Sequence, residues 1–149
     1  MSVVERVDHD LKAAMRAKDT VRIETLRSIR GAIRNRELDT GSTLDENAML
    51  TIIRSLVKQR EDSIEQYAEG HRPDLVERET LEKQILLEYL PQAPDEATLQ
   101  RTIDEVVREL GASTMKDMGR VIEGCKARLG ASVDGKTLST RVRARLTAP

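Results

Sequence analysis

Apolar residues recur at three- and four-residue intervals along almost the whole chain, and beyond the short turns between helices that period is broken by one proline-marked segment, Leu-Pro-Gln-Ala-Pro-Asp at residues 90–95. A 3.6-residue period is the mark of an amphipathic helix. Each proline biases the residue before it away from helix, so two of them three positions apart read as a stiff boundary. The expected fold is all-α, with a four-helix N-terminal domain over residues 1–90 followed by a small three-helix C-terminal tail domain over residues 95–149. The chain has no Trp and no Phe, and its only aromatic residues are Tyr67 and Tyr89. Strands are enriched in aromatic and β-branched residues. This chain is rich in Leu, Ala, Glu, Lys and Arg, which form helices well, and its core must be aliphatic.

The helix boundaries follow from caps. Ser2 and Glu5 fit a capping box in front of Val4, Val7, Leu11 and Ala14. A second helix follows Asp19 or Thr20, with Ile23, Leu26, Ile29 and Ile33 inward, and ends near Leu38. Thr43 with Glu46 reads as another capping box, opening a long helix with Met49, Ile53, Leu56, Val57, Ile64 and Tyr67 inward and Gly70 at its C-terminus. Pro73 suits the first turn of a fourth helix, continued by Leu75, Leu81, Ile85 and Tyr89. In the tail, Leu99, Ile103, Val106 and Leu110 define one helix ended by Gly111. Ser113 or Thr114 caps a second, with Met118, Val121, Ile122, Cys125 and Leu129 inward before Gly130. Asp134-Gly135 is a turn, and Leu138, Val142 and Leu146 give a short last helix that frays over residues 147–149.

No catalytic constellation emerges. A nucleophile needs a base and a group to orient it, and the only histidines are His9, on a charged helix face, and His71, in a loop. Cys125, the single cysteine, occupies an apolar helical position and reads as a small buried hydrophobe. No Cys or His lies at metal-ligand spacing, and no phosphate-binding loop or dinucleotide fingerprint is present. No cofactor is expected. A lone cysteine and the lack of an apolar leader point to a cytoplasmic protein, and no stretch reaches the roughly 20 apolar residues of a membrane helix.

The net charge of −1 conceals two basic stretches. Residues 12–36 hold Lys12, Arg16, Lys18, Arg22, Arg27, Arg30, Arg34 and Arg36 against Asp19 and Glu24, and Arg27, Arg30 and Arg34 form a basic arc on the second helix. Residues 116–145 hold Lys116, Arg120, Lys126, Arg128, Lys136, Arg141, Arg143 and Arg145 against Asp117, Glu123 and Asp134. Clustered cations neutralise backbone phosphates. Ser113 and Thr114 add helix-terminal amides that attract an anion, with Lys116 and Arg120 nearby. The candidate nucleic-acid site is therefore Ser113, Thr114, Lys116, Arg120, Lys126, Lys136 and Arg141, with Arg27, Arg30 and Arg34 as a secondary basic face. The near absence of aromatics favours recognition of folded RNA through its backbone over single-strand stacking.

Residues 56–67 (LVKQREDSIEQY), 72–79 (RPDLVERE), Tyr89-Leu90-Pro91 and, most specifically, 111–119 (GASTMKDMG) resemble the GatB/YqeY family. The resemblance implies a two-part helical fold, similar to the helical and tail domains that end the B subunit of the glutamine-dependent aminoacyl-tRNA amidotransferase, whose tail contacts tRNA. Similar modules are appended to some bacterial glutaminyl-tRNA synthetases. The expected function is a noncatalytic tRNA-binding or tRNA-enzyme accessory module. A protein-interaction adaptor for a glutaminyl-tRNA synthetase or a tRNA-dependent amidotransferase is the alternative, and a carbon–nitrogen ligase using glutamine as amide donor is a third reading, since the catalytic cradle domain has no counterpart here. One departure is the Ala131-Ser132-Val133 turn, where the family often carries Gly-Arg-Ala.

Overall fold

The computed structural model describes residues 1–148, the Ala131 side chain excepted. Among them every regular element is helical, in two compact units, Met1–Leu90 and Pro91–Pro149.

The first unit holds α1 (Val3–Ala17), α2 (Thr20–Thr40), α3 (Glu46–Glu69) and α4 (Pro73–Leu87). Ser2 and Glu5 form the expected capping box, and Asp19 caps α2 by accepting the Arg22 amide at 3.2 Å. The α2 helix runs past Leu38 to Thr40, where Gly41 takes the left-handed φ of 71° that stops a helix cleanly. The start of α3 differs from the sequence reading. Asp45, not Thr43, is the N-cap, accepting the Ala48 amide at 2.8 Å, because its carboxylate makes a charge-assisted bond that a threonine hydroxyl cannot match. Glu46 then turns elsewhere and accepts the Val3 amide at 3.4 Å.

Leu26, Ile29, Ile33, Ile53 and Leu86 are fully buried at the centre of this unit. In α4 the inward face is rotated from the expected one. Ile85 is buried as expected, but Leu81 is 44% exposed and Glu82 and Leu86 face the core in its place, because Glu82 and Glu79 turn toward Arg60 of α3. Tyr89 lies beyond the end of α4 yet is buried. Its hydroxyl donates to the Asp10 carboxylate, and the Arg6 guanidinium covers its ring at 4.9 Å. Burial first, and the Asp10 contact second, push its phenol up.

The second unit holds α5 (Glu96–Leu110), a 3-10 turn (Met115–Asp117), α6 (Met118–Leu129), a second 3-10 turn (Gly130–Ser132) and α7 (Gly135–Thr147). Asp134 is the N-cap of α7 rather than part of a free turn, accepting the Thr137 amide at 2.8 Å. Leu99, Ile103, Val106, Val107, Val121, Cys125, Leu138, Val142 and Leu146 make one aliphatic core. Gly124 lets α5 and α6 approach closely, since a Cβ there would stand 2.7 Å from Val106 Cγ1. Thr147 closes α7, its hydroxyl donating to the Arg143 carbonyl at 2.8 Å, and Pro149 lies outside the described residues.

Candidate nucleic-acid interface

The basic stretch of the second unit is largely neutralised from within. The α5 helix presents Glu96, Gln100 and Asp104, spaced one turn apart, to Arg141 and Arg145, one turn apart on α7. Arg141 pairs with Glu96 and donates to Gln100 Oε1 at 3.2 Å, and Arg145 Nε donates to Asp104 at 2.8 Å. Arg128 of α6 is held by Glu105 at 3.2 Å and by Glu109. The Arg145 contact holds the Asp104 carboxyl below the usual range. Arg141, expected on the interface, is therefore a half-buried strut between helices.

The amides of Ser113 and Thr114 are also engaged. They donate to Asp117 Oδ2 at 3.1 and 3.4 Å, and Arg120 binds the other oxygen at 2.6 Å. Arg120 first, and the two amides after it, hold the Asp117 carboxyl below its ordinary value. Thr114 and Asp117 thus form a reciprocal capping box around the 3-10 turn, and the protein's own carboxylate fills the place where an external anion was expected. Ser132, where the family often has arginine, donates its hydroxyl to the Leu129 carbonyl at 2.6 Å.

Four cations of this stretch remain. Lys116, Lys126, Lys136 and Arg143 are exposed and make no ion pair or side-chain hydrogen bond among the described residues. Lys136 and Arg143 are seven residues apart, two turns along the outer side of α7, and the 3-10 turn carrying Lys116 packs against that helix. Lys126 stands on the outer side of α6. Arg143, which the sequence reading left out of the site, belongs with Lys136. Its signal was the interval of seven, against which Arg141 and Arg145 match the acidic row of α5.

The model for Yqey-like proteins matches residues 4–146. The chain belongs to the Yqey-like family. Three yeast relatives carry the name "Altered inheritance of mitochondria protein 41, mitochondrial". The Yqey-like chain is 41% identical over 113 residues to the one from Lachancea thermotolerans, covering 74% of this chain but only 60% of that protein. It is 32% identical over 148 residues to the Saccharomyces cerevisiae protein, covering 99% of this chain and 78% of the relative. The Kluyveromyces lactis protein is 32% identical over 145 residues, with 95% and 74% covered. These names overturn the expectation of a cytoplasmic protein. A single cysteine argues only against an intramolecular disulfide; it does not separate the cytoplasm from other compartments that keep thiols reduced.

In the first unit of the Yqey-like chain, Arg30 is paired with Asp8 at 2.9 Å, whereas Arg27 and Arg34 are exposed without a partner among the described residues. His9 and His71 are exposed, and Cys125 is fully buried. No group of three or more His, Cys, Asp or Glu is placed to hold a metal ion, and no helix is long and apolar enough to cross a membrane, among the described residues.

Proposed function

We propose that this protein is a noncatalytic tRNA-binding or tRNA-enzyme accessory module, built as a four-helix domain over residues 1–90 and a three-helix tail domain over residues 95–149. Its RNA-contacting side is the outer side of the tail, through Lys116, Lys136 and Arg143, with Lys126 on the adjoining helix. One observation carries the reading: of the eight cations of residues 116–145, four are pinned to acids of the same unit and these four are exposed and unpaired among the described residues. Cations without an internal partner release counterions when they meet phosphates. Arg120 and Arg141 shape the unit rather than touch RNA, and Ser113 and Thr114 support the turn that presents Lys116.

The test is equilibrium binding of the purified chain to tRNA at low and near-physiological salt, with duplex DNA of similar length as control. The variant K116Q/K126Q/K136Q/R143Q should lower the slope of log affinity against log salt by about 3. An unchanged slope in a folded variant sinks the site.

A second reading, an adaptor that docks a synthetase or amidotransferase, draws on Met115 and Leu110, which stand 40% and 38% exposed around residues 111–119. A partner complex that survives nuclease treatment and is lost on Met115→Lys favours it.

A further inference from the structure

We infer that the α1–α2 hairpin carries a second binding face for the phosphate backbone of duplex nucleic acid, formed by Lys12, Arg16, Arg27 and Arg34. The inference goes beyond the tail reading and does not depend on it.

The face is defined by which charges are already taken. Every acid from Glu5 to Glu37 has a partner. Glu5 accepts the Ser2 amide, Asp8 holds Arg30, Asp10 accepts from Tyr89, Asp19 caps α2, Glu24 holds Arg78 and Glu37 accepts the Leu44 amide. Over the same helices Lys12, Arg16, Arg27 and Arg34 are exposed and make no ion pair or side-chain hydrogen bond among the described residues. Asp39, near the end of α2, is the one acid of these helices without a partner among the described residues; the others are satisfied locally and these cations are left over.

Geometry gathers those cations on one side. The Asp8–Arg30 pair bridges the two antiparallel helices and so fixes which flanks meet. Lys12 lies one turn beyond Asp8, and Arg27 and Arg34 lie one turn to either side of Arg30. The buried residues Val7, Ala14, Leu26, Ile29 and Ile33 point the other way, toward α3 and α4. On a helix rising 1.5 Å per residue, Arg27 and Arg34 are about 10 Å apart along the axis. Gly31 lies between them, with nothing within 4 Å of where its Cβ would be. A glycine within a helix destabilises it by about 0.5–1 kcal/mol relative to alanine; here no packing neighbour explains it, and its bare backbone lets a chain approach between the two guanidiniums.

The chemistry of the face selects a polyphosphate backbone. Guanidinium forks bind phosphate oxygens in pairs. Base stacking needs aromatic rings, and the only two of the chain lie elsewhere, Tyr67 on α3 and Tyr89 buried. A protein interface needs aromatic or apolar anchors at its centre, and a membrane-surface helix needs Trp, Phe or Leu on its inserted side. This side offers only Met15 and, at its far end, Leu38.

The test is titration of the full chain with a 20-base-pair RNA duplex at several salt concentrations. Four proteins are compared: wild type, K12Q/R27Q/R34Q, the tail variant K116Q/K126Q/K136Q/R143Q, and the two combined. Glutamine keeps helix propensity at exposed positions, and far-UV circular dichroism verifies the fold. The hairpin variant should bind at least about tenfold more weakly at 0.15 M salt, with a slope lower by about 2 to 3. The charge-preserving K12R/R27K/R34K should stay within about threefold of wild type, which also answers a hairpin variant that misfolds. The tail variant should keep residual binding that the combined variant loses. Wild-type affinity and slope in the hairpin variant overturn the inference, as does a tail variant with no residual binding, which leaves the tail reading standing. A tail variant that binds like wild type sinks the tail reading alone, and no binding by any protein sinks both. Selective loss of binding to phosphatidylglycerol vesicles, with RNA binding intact, replaces the duplex by a membrane surface and overturns it too.

Discussion

Replacing Arg60 with methionine should destabilise the helical unit by about 2–4 kcal/mol at pH 7. In the seam between α3 and α4, Arg60 Nε stands 3.6 Å from Glu79 Oε2 and 3.4 Å from Glu82 Oε2, with all three side chains 12–19% exposed. Arg60 Nε and Glu79 Oε2 make no hydrogen bond, so the attraction is Coulombic, about 4 kcal/mol per pair at an effective dielectric of 20, before desolvation is subtracted. Methionine keeps most of the stem but leaves two carboxylates facing each other. Breaking a buried pair costs about 3–5 kcal/mol, and the residual exposure places this case at the lower end. The sign with pH is fixed as well. Burial pushes the Glu82 carboxyl above 4.5, Glu79 adding to the rise and Arg60 opposing it. A carboxyl raised in the folded state holds its proton where the unfolded chain has released it, so stability falls as pH rises through that window. Without the opposing Arg60 charge the Glu82 carboxyl rises further, and the deficit of R60M should shrink markedly between pH 7 and pH 4. Glu82→Gln, which leaves one carboxylate against one guanidinium, should stay within about 1 kcal/mol of wild type. Urea unfolding followed by tyrosine fluorescence measures this, because Tyr67 and Tyr89 both lie in the first unit. A loss below about 1 kcal/mol at pH 7, or an equal loss at pH 4, refutes the charge argument.

The second unit should respond to Gly124→Ala with a loss of about 1–3 kcal/mol, since β-branched, buried Val106 has little room to yield. Far-UV circular dichroism should show a lowered urea midpoint while the tyrosine transition is unmoved; no shift would mean the helices separate freely. Asp45→Ala should cost about 1 kcal/mol through loss of the α3 cap, and Thr43→Ala less than about 0.5. Equal losses would return the cap to Thr43. Burial pushes the Cys125 thiol up, so at pH 8 it should react with a disulfide reagent at least about tenfold more slowly in the native protein than in urea, and equal rates would place it at the surface.

The helix content was legible because its signals are local. Ser2 with Glu5, Asp19 and Gly111 each mark an end through bonds made within four residues, and Pro73 marks one because it has no N–H to leave unbonded in the first turn. Where two local signals competed, as with Thr43 and Asp45, spacing alone did not decide. The inward face of α4 was read from its apolar residues, and Leu81 was set inside. The ion pairs of Glu79 and Glu82 with Arg60 lie on another helix, and they turn Leu81 out. The candidate site was misjudged for the same reason. A charge count over residues 116–145 omits Glu96, Asp104, Glu105 and Glu109, which lie earlier in the chain and meet the tail's arginines across a helix packing. The Asp117 carboxylate was counted as one charge, although its position decides what the Ser113 and Thr114 amides can bind.

The charges of residues 116–145 divide by residue type with one exception. Arg120, Arg128, Arg141 and Arg145 are pinned to carboxylates, whereas Lys116, Lys126 and Lys136, together with Arg143, are unpaired among the described residues. Arginine's planar fork holds a carboxylate in a fixed orientation, and lysine is a hydrated point charge on a flexible stem. Exposed pairs of this kind each contribute at most about 1 kcal/mol, so their larger effect is to set which sides of α5, α6 and α7 face one another. With those four arginines committed to that task, this stretch turns Lys116, Lys126, Lys136 and Arg143 outward, a surface suited to diffuse, salt-sensitive attraction. The hairpin reverses the allocation: Arg27 and Arg34 stay free on rigid helix while Asp8 holds Arg30 between them. Guanidiniums on a fixed spacing can constrain the direction of a phosphate backbone, which a hydrated ammonium on a flexible stem does not.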